Sequence, residues 1–155
     1  MPDDVAWLAA LSPWPEDGFG LGRMHALLAA LGDPQLRYPA VHVVGTNGKS
    51  TATVTVEQLL LGAGLSVGAT ISPHVRGWEE RIRLGGRSAA LPAALRRVRQ
   101  AAERVGATQF EAITAAALTA FAAAEVDAAV VEAGLGGRHD ATNVLRSRVV
   151  LLTNV

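Results

Sequence analysis

The chain has 155 residues, of which half are apolar and 18% are charged, and its formal net charge is zero. This composition excludes a disordered segment and predicts one globular core. A nucleic-acid partner is disfavoured because such proteins carry a basic excess or stripe, and the cluster Arg96, Arg97 and Arg99 is predicted to be a solvated helix face beside Glu103. Since the chain has no cysteine, disulfides and thiolate metal sites are excluded.

The amino terminus and the apolar runs predict the location of the protein. The start, Met1-Pro-Asp-Asp, lacks the basic region of a signal peptide. No apolar run reaches the ~18 residues that a membrane span requires. We therefore expect a cytoplasmic protein that does not bind a membrane. No oligomeric state follows from the sequence.

Two short helices, at 5–11 and 23–31, are predicted before the first strand. The glycine-rich stretch Gly18–Gly22 lies between them. It resembles half of a dinucleotide-binding fingerprint, but it follows no strand and is surrounded by Pro and Asp. A loop is therefore predicted there instead of a cofactor site.

From Pro39 onward, strands alternate with helices. The predicted strands are 40–44, 66–71, 126–131 and 149–152, with one arm of a hairpin at 81–84 before Gly85 and Gly86. The predicted helices are 50–62, 92–105 and 108–125. Strands that are buried on both faces and alternate with helices predict an α/β fold with a parallel sheet and flanking helices.

A glycine-rich loop with a single lysine lies between a predicted strand and a predicted helix. Lys49 is the only lysine among the 14 basic residues. Phosphates at this loop would meet free backbone N–H groups at the positive end of the helix, and the glycines would let the backbone wrap the anion. The alternative, a solvent turn, is disfavoured by the flanking strand and helix. The predicted ATP-binding residues are Gly45, Thr46, Asn47, Gly48, Lys49, Ser50 and Thr51.

The short form of this loop, Gly45-Thr-Asn-Gly-Lys49, resembles that of the Mur ligase superfamily. These ligases use ATP to convert a carboxylate into an acyl phosphate, which an amine then attacks to form an amide. Within the superfamily, folylpolyglutamate synthases usually carry Gly-Lys-Gly followed by Ser or Thr, and here Ser50 stands at the second glycine. Either Ser50 or Thr51 is therefore left to supply a hydroxyl to magnesium.

Two further motifs are similar to those of the folylpolyglutamate synthase family and imply a magnesium site. The segments Ile71-Ser-Pro-His74 and Glu80-Arg-Ile-Arg83 resemble the family's Ser-Pro-His loop and its continuation, which implies that Ser72 is a magnesium ligand. Glu132 ends a predicted buried strand, at the sheet edge where open α/β folds bind ligands, and the matching glutamate of the family also binds magnesium. Without the other motifs, the segment around Ser72 could be an ordinary turn, and Glu132 could be a solvated residue at the end of a strand.

The segment Gly134–Asn143 is the most diagnostic likeness to this family, whose pattern is Gly-Leu-Gly-Gly-Arg-x-Asp-Ala-Thr-Asn. The resemblance implies that His139, Asp140 and Ala141 line a pterin pocket, with Asp140 hydrogen-bonded to the pterin. For the glycines alone, a tight turn is the alternative.

A fourth segment of the chain matches the family's Thr-x-Phe-Glu, which contacts the pteroate part of the substrate. The substrate-binding residues that it implies are Thr108, Gln109, Phe110 and Glu111. A helix capping box explains the first and last of these equally well. His25 and His42 have no predicted partner and are assigned structural roles.

The resemblance implies an ATP- and Mg²⁺-dependent ligase that adds glutamate to tetrahydrofolates, to dihydropteroate, or to both. A nucleotide-binding module without turnover is the alternative, and a cell-wall Mur ligase is disfavoured by Gly134–Asn143. The segments that match the family continue to Val155. In the family, a further magnesium ligand and a second domain follow the position that corresponds to Val155. Residues 1–155 are therefore expected to form an incomplete amino-terminal ATP-binding domain that is inactive alone.

Overall fold

The computed structural model describes residues 4–154. The helices are α1 (Asp4–Ala10), α2 (Gly22–Ala30), α3 (Lys49–Gly62), α4 (Leu91–Val105) and α5 (Gln109–Ala123). The strands are β1 (Ala40–Val44), β2 (Val67–Thr70), β3 (Ile82–Leu84), β4 (Arg87–Ser88), β5 (Ala128–Glu132) and β6 (Val149–Leu152). Short 3-10 helices cover Pro34–Leu36, Trp78–Arg81 and Ala141–Val144. The predicted α/β fold with flanking helices is confirmed.

The six strands form one mixed sheet in the order β4-β3-β2-β5-β1-β6. Four of them, β2, β5, β1 and β6, run parallel, which agrees with the predicted parallel sheet. The other two, β3 and β4, are antiparallel to their neighbours. The all-parallel expectation is therefore corrected at one edge, where a hairpin extends the sheet.

A two-residue turn of Gly85 and Gly86 produces this hairpin. Leu84 pairs with Arg87 across the turn, and both glycines have positive φ values, 59° and 80°. Two-residue hairpin turns of this type need left-handed backbone at both central positions, which glycine adopts without a Cβ clash. The predicted hairpin arm at 81–84 is thereby confirmed, with its strand beginning at Ile82.

Apolar residues cover both faces of the sheet. One face, with Val43, Val67, Ala69 and Val130 at its centre, packs against α3. The other face packs against α5, which in turn contacts α4, α1 and α2. Helix α5 is alanine-rich and buried from Glu111 to Leu118, so it is enclosed between the sheet and the outer helices.

The ends of the helices follow their sequence signals. Helix α4 has Pro92 in its first turn and ends at Gly106, whose φ is 65°. Thr108 caps α5 in the predicted capping box with Glu111. Strand β5 begins at Ala128, two residues later than predicted, and the preceding Asp127 side chain accepts hydrogen bonds from Ser66. Among residues 4–154, no helix is both long and apolar enough to cross a membrane.

Candidate functional site

The predicted phosphate loop lies at the carboxyl end of β1, directly before α3. Gly48, with φ 78°, precedes the first residue of the helix, Lys49. Gly45 has φ 132°, and a Cβ on it would overlap Thr153 Oγ1 and lie 2.9 Å from the Asn154 carbonyl oxygen. Both glycines thus have backbone angles that residues with a Cβ rarely adopt, and Gly45 also has no space for a side chain.

Asn154, which sequence reasoning missed, braces the phosphate loop. Its Oδ1 atom accepts hydrogen bonds from the backbone N–H groups of Thr46 at 3.3 Å and Asn47 at 2.8 Å. Its backbone oxygen also accepts from Thr46 N at 3.1 Å. Nothing in the local sequence around Asn154 signals this role, because the contact joins residues more than 100 positions apart.

The Lys49 ammonium folds back over the loop. Its Nζ atom donates to the carbonyl oxygens of Gly45 at 2.9 Å and Thr46 at 3.4 Å. Carbonyl oxygens carry no full charge, so a phosphate would be a stronger partner for the ammonium. The geometry leaves Lys49 close to the helix end where an anion would be held.

Three predicted residues meet at the carboxyl edge of the sheet. Ser50 Oγ donates to both carboxylate oxygens of Glu132, at 3.0 and 2.9 Å, and the backbone N–H of Ser72 donates to Glu132 Oε2 at 3.0 Å. Thr51 is exposed, and its carbonyl accepts from Thr55 Oγ1. Of the two hydroxyls left open by the sequence, only that of Ser50 contacts Glu132.

The oxygen atoms of this cluster suit a hard cation. The Ser72 hydroxyl oxygen is buried and has no hydrogen-bond partner among the described residues. Burial raises the pKa of Glu132, and hydrogen bonds from Ser72 and Ser50 together with the charges of Lys49 and Arg81 oppose that shift. Residues 4–154 contain no cluster of three or more His, Cys, Asp or Glu side chains that could hold a metal. One carboxylate and two hydroxyls fit magnesium, which keeps several waters.

An open cleft of about 750 Å³ lies beside the oxygen cluster. Its wall includes Ser72, the loop before α2, the start of α5 and the segment from Gly134 to Ala141. Two aromatic rings, of Trp14 and Phe19, meet edge to face in its wall with centroids 6.1 Å apart. A cleft of this size with apolar and aromatic walls suits a small planar ligand.

Most of the predicted substrate residues lie in the wall of this cleft. They are Thr108, Phe110, Glu111, His139, Asp140 and Ala141. The same Thr108 and Glu111 form the capping box, so the two interpretations that the sequence left open are compatible. Gln109 does not line the cleft; its side-chain amide donates to the Leu8 and Ala9 carbonyls, at 3.3 and 3.5 Å. We therefore exclude Gln109 from the candidate site.

Three arginines that sequence reasoning did not assign, Arg23, Arg81 and Arg138, also line the cleft. Arg23 Nε donates to Glu111 Oε2 at 3.1 Å, and Arg23 also forms an ion pair with Asp17. Arg81 Nε donates to His74 Nδ1 at 2.9 Å, and its guanidinium lies over the Trp78 ring at 4.6 Å. The cleft wall therefore contains cationic side chains, of which Arg23 is already paired with two carboxylates.

Arg81 lies between the oxygen cluster and the cleft. It lines both the cleft and a cavity of about 10 Å³ that also contacts Ser72, Phe110 and Glu132. Burial lowers the pKa of its guanidinium, while the charge of Glu132 raises it. The motif Glu80-Arg-Ile-Arg83 includes this residue, but no role for Arg81 follows from the sequence alone.

No protein-family model matches the chain. It is 37% identical over 177 aligned positions to the dihydrofolate synthase/folylpolyglutamate synthase of Mycobacterium tuberculosis, covering 99% of this chain and 36% of that protein. It is 41% identical to the folylpolyglutamate synthase of Lacticaseibacillus casei, covering 86% of this chain and 33% of the relative.

The solved structure of an FPGS-AMPPCP-folate complex has the same fold over this region. The TM-score is 0.88 at 38% sequence identity, and the match covers 96% of this chain and 38% of the other. The chain thus spans about a third of the length of the curated relatives that it matches.

Proposed function

We propose that this chain, which is related over nearly its whole length to the amino-terminal part of folylpolyglutamate synthases and dihydrofolate synthases, forms the ATP-binding part of a ligase. The ligase adds glutamate to tetrahydrofolates, to dihydropteroate, or to both. One observation carries the proposal: the phosphate loop, the oxygen cluster at Glu132 and the 750 Å³ cleft meet at one edge of the sheet. The cytoplasmic location stays a prediction.

The phosphate loop is proposed to bind the phosphates of ATP. The backbone N–H groups at the start of α3 face the anion, and Lys49 exchanges its carbonyl partners for the β- and γ-phosphates. A structure related to this chain contains AMPPCP, and another contains ADP, which supports a nucleotide at this position.

The side chains of Ser50, Ser72 and Glu132 are proposed to be the residues that would hold magnesium. The cation would neutralise part of the phosphate charge. Ser50 is assigned in preference to Thr51 because its hydroxyl already contacts both oxygens of Glu132. The buried Ser72 hydroxyl, which has no partner in the described residues, would gain one.

The cleft is proposed to bind the folate or pteroate substrate. Its aromatic wall suits a planar ring, and Arg81 suits an acidic ligand. The substrate carboxylate attacks the γ-phosphorus, which gives an acyl phosphate and ADP. The glutamate amine then attacks the acyl carbon, the bond from that carbon to the phosphate oxygen breaks, and an amide forms with release of phosphate and a proton. Lys49 and the N-terminus of α3 stabilise the charge that moves onto the phosphates.

A nucleotide-binding module without turnover is the second candidate. The observation that favours it is that the chain spans only about a third of the length of its relatives. Both candidates require the nucleotide site, so the first experiment tests that site.

The nucleotide site is tested by titrating AMPPCP, with and without Mg²⁺, into the wild type and into Lys49→Ala in a calorimeter. Loss of a charged hydrogen bond to phosphate is expected to weaken binding by about 10- to 100-fold. Arg97→Ala, which removes an exposed cation from α4, is the matched control and should bind as the wild type does. Equal affinity of the wild type and Lys49→Ala would overturn the assignment.

The single lysine allows a second test of the same site. An amine-reactive reagent has one lysine side chain to modify in this protein, because Lys49 is the only lysine. AMPPCP with Mg²⁺ is expected to protect Lys49 from the reagent, as measured by mass spectrometry. Titration of folate into the same protein then tests the cleft, and failure to bind folate while AMPPCP binds would favour the second candidate.

A further inference from the structure

A buried chain of hydrogen bonds joins β1 to the segment Gly134–Ala141, here called the glycine loop, in the wall of the cleft. We propose that His42 and Thr142 act through Asp140 as positioning residues that hold the glycine loop in place for the substrate. The proposal rests on the proposed function of the cleft. The sequence had assigned His42 a structural role without a partner.

The hydrogen bonds in this chain have a defined direction. His42 Nε2 lies 2.7 Å from Thr142 Oγ1, and both residues are buried, with exposed fractions of 4% and 1%. The Thr142 hydroxyl donates its one proton to Asp140 Oδ1. The Thr142 oxygen is therefore left to accept, so His42 Nε2 must carry a hydrogen and donate it. This fixes the tautomer of neutral His42.

Asp140 holds the two ends of the glycine loop. Its Oδ2 atom accepts from the Leu135 backbone N–H at 2.7 Å, near the start of the loop. Its Oδ1 atom accepts from the Thr142 backbone N–H at 3.0 Å, just after the loop ends. Both carboxylate oxygens thus have donors from the protein itself. Asp140 thereby determines the shape of the wall, whether or not it also contacts a ligand.

The same strand that carries His42 leads into the phosphate loop. Two residues after His42, β1 ends at Val44, and Gly45 follows. The position of β1 therefore determines where the phosphate loop lies, because the backbone continues directly into it. The same strand also positions the glycine loop, through the hydrogen bond of the His42 side chain. Burial lowers the pKa of His42, although the charge of Asp140 opposes that shift, so the neutral form of the imidazole is favoured.

Three threonine variants separate positioning from general packing. Thr142→Val keeps the branched shape but removes the hydroxyl that links His42 to Asp140, whereas Thr142→Ser keeps the hydroxyl. Thr119→Val is the matched control, because the Thr119 hydroxyl is buried in α5 without a hydrogen-bond partner in the described part of the chain. All three are titrated with folate and with AMPPCP.

Thr142→Val is expected to bind folate about tenfold more weakly than the wild type, from the loss of a buried hydrogen bond that shapes the wall. Its affinity for AMPPCP should stay within about twofold, because the phosphate loop keeps its own backbone contacts. Thr142→Ser should restore folate binding, and Thr119→Val should resemble the wild type. An equal loss of both ligands, or no loss of either, would overturn the proposal.

Two measurements without ligand test the geometry directly. Nitrogen-15 NMR of the four histidines, with His42→Gln for assignment, should show His42 protonated at Nε2. Hydrogen exchange at the Leu135 amide should be faster in Thr142→Val than in the wild type, with the β1 amides unchanged. A proton at Nδ1 alone, or an unchanged Leu135 rate, would contradict the positioning role.

The proposed function can fail separately. A wild-type protein that binds AMPPCP but not folate would contradict the substrate assigned to the cleft. The NMR and exchange measurements, which need no ligand, would still decide whether His42 and Thr142 hold the glycine loop.

Discussion

At the scale of single residues, Glu132 combines a buried carboxylate with a predicted metal site. Burial raises the pKa of Glu132 above its ordinary value of 4.5. At a pH between the ordinary pKa of Glu132 in the unfolded chain and its higher pKa in the folded protein, the folded protein therefore binds more protons than the unfolded chain. The free energy of unfolding contributed by this group falls as the pH rises from about 4.5 through the higher folded value.

Glu132→Gln is expected to stabilise the protein at neutral pH while abolishing the effect of Mg²⁺ on nucleotide binding. The amide removes the buried charge but keeps an oxygen that accepts from Ser72 N. Thermal unfolding of the wild type and the variant at pH 4.5 and pH 8 measures the first effect, and the gain should be larger at pH 8. AMPPCP titration with and without Mg²⁺ measures the second. A variant less stable than the wild type at pH 8 would contradict this interpretation.

Gly134 lies against the ring of Phe110 in the cleft wall. A Cβ at this position would lie 2.5 Å from Phe110 Cζ, so the ring must move. Gly134→Ala is expected to destabilise the protein by about 1–3 kcal/mol through overpacking and to weaken folate binding. Urea unfolding and folate titration are the measurements.

A matched control lies in the same loop as Gly134. A Cβ on Gly137 would meet no atom within 4 Å, so Gly137→Ala should leave the stability near the wild-type value. Combining Gly134→Ala with Phe110→Leu should restore part of the lost stability, because the smaller side chain makes room. No recovery in the double variant would show that the clash with Phe110 is not the cause.

Residues of the site could be predicted where the signal is local. Lys49 stands out because it is unique and lies between a strand and a helix. Arg23 and Asn154 escaped prediction because their partners Glu111 and Asn47 are distant in sequence. Arg81 has partners close in sequence, but one arginine does not stand out in a chain where arginine is frequent. The partner of His42 was missed because Thr142 lies 100 residues away.

At the scale of elements, one buried ion pair ties the phosphate-loop helix to the hairpin. Glu57 of α3 is 0% exposed, and Arg83 Nε donates to its two oxygens at 2.9 and 3.2 Å. Arg83 Nη2 also donates to the Gly86 carbonyl at 2.8 Å. The ion pair therefore holds α3, which begins with Lys49, against β3, which follows the segment Ser72–Arg81.

Arg83→Met is expected to destabilise the protein by about 3–5 kcal/mol, because it leaves the Glu57 carboxylate buried without a counter-charge. The double variant Glu57→Met/Arg83→Met should be closer to the wild type, since neither charge remains to be desolvated. Urea unfolding of the single and double variants gives the free energies. A double variant no more stable than Arg83→Met would contradict the ion-pair argument.

The elements themselves were predicted well where periodicity and end signals agree. The capping box at Thr108, Pro92 near the start of α4 and Gly106 at its end all marked boundaries that the structure has. The antiparallel edge was only partly foreseen, because the apolar patterns of β2 and β3 do not specify which strands pair. The start of β5 at Ala128 was not predicted, because apolar periodicity does not include contacts such as that of the Asp127 side chain with Ser66.

At the scale of the whole molecule, the sheet order brings the site together. Strand β1 lies between β5 and β6, and β5 also pairs with β2. Their parallel carboxyl ends therefore place the phosphate loop, Glu132 and Ser72 at one edge, as expected for ligand sites in open α/β sheets. The backbone N–H of Ser72 donates to Glu132 Oε2, so the two residues that the sequence assigns to a magnesium site lie together at this edge, and the metal site itself stays a prediction.

The site residues in these 155 positions are proposed to suffice for weak nucleotide binding but not for ligation. Phosphoryl transfer depends on holding many charged contacts at once. The matched relatives are about three times as long, and the described residues supply the phosphate loop, Glu132, Ser50 and Ser72. An acyl phosphate in a cleft that stays open to solvent would also be exposed to hydrolysis.

We therefore expect no glutamate-dependent product from the purified 155-residue chain. The chain is incubated with ATP, Mg²⁺, a reduced folate and glutamate, and ADP and the lengthened folate are measured by chromatography. A trace of ADP that appears without glutamate would reflect hydrolysis and would agree with the expectation. Product that depends on glutamate, and that disappears in Lys49→Ala, would show instead that the residues at this sheet edge catalyse ligation without any further domain.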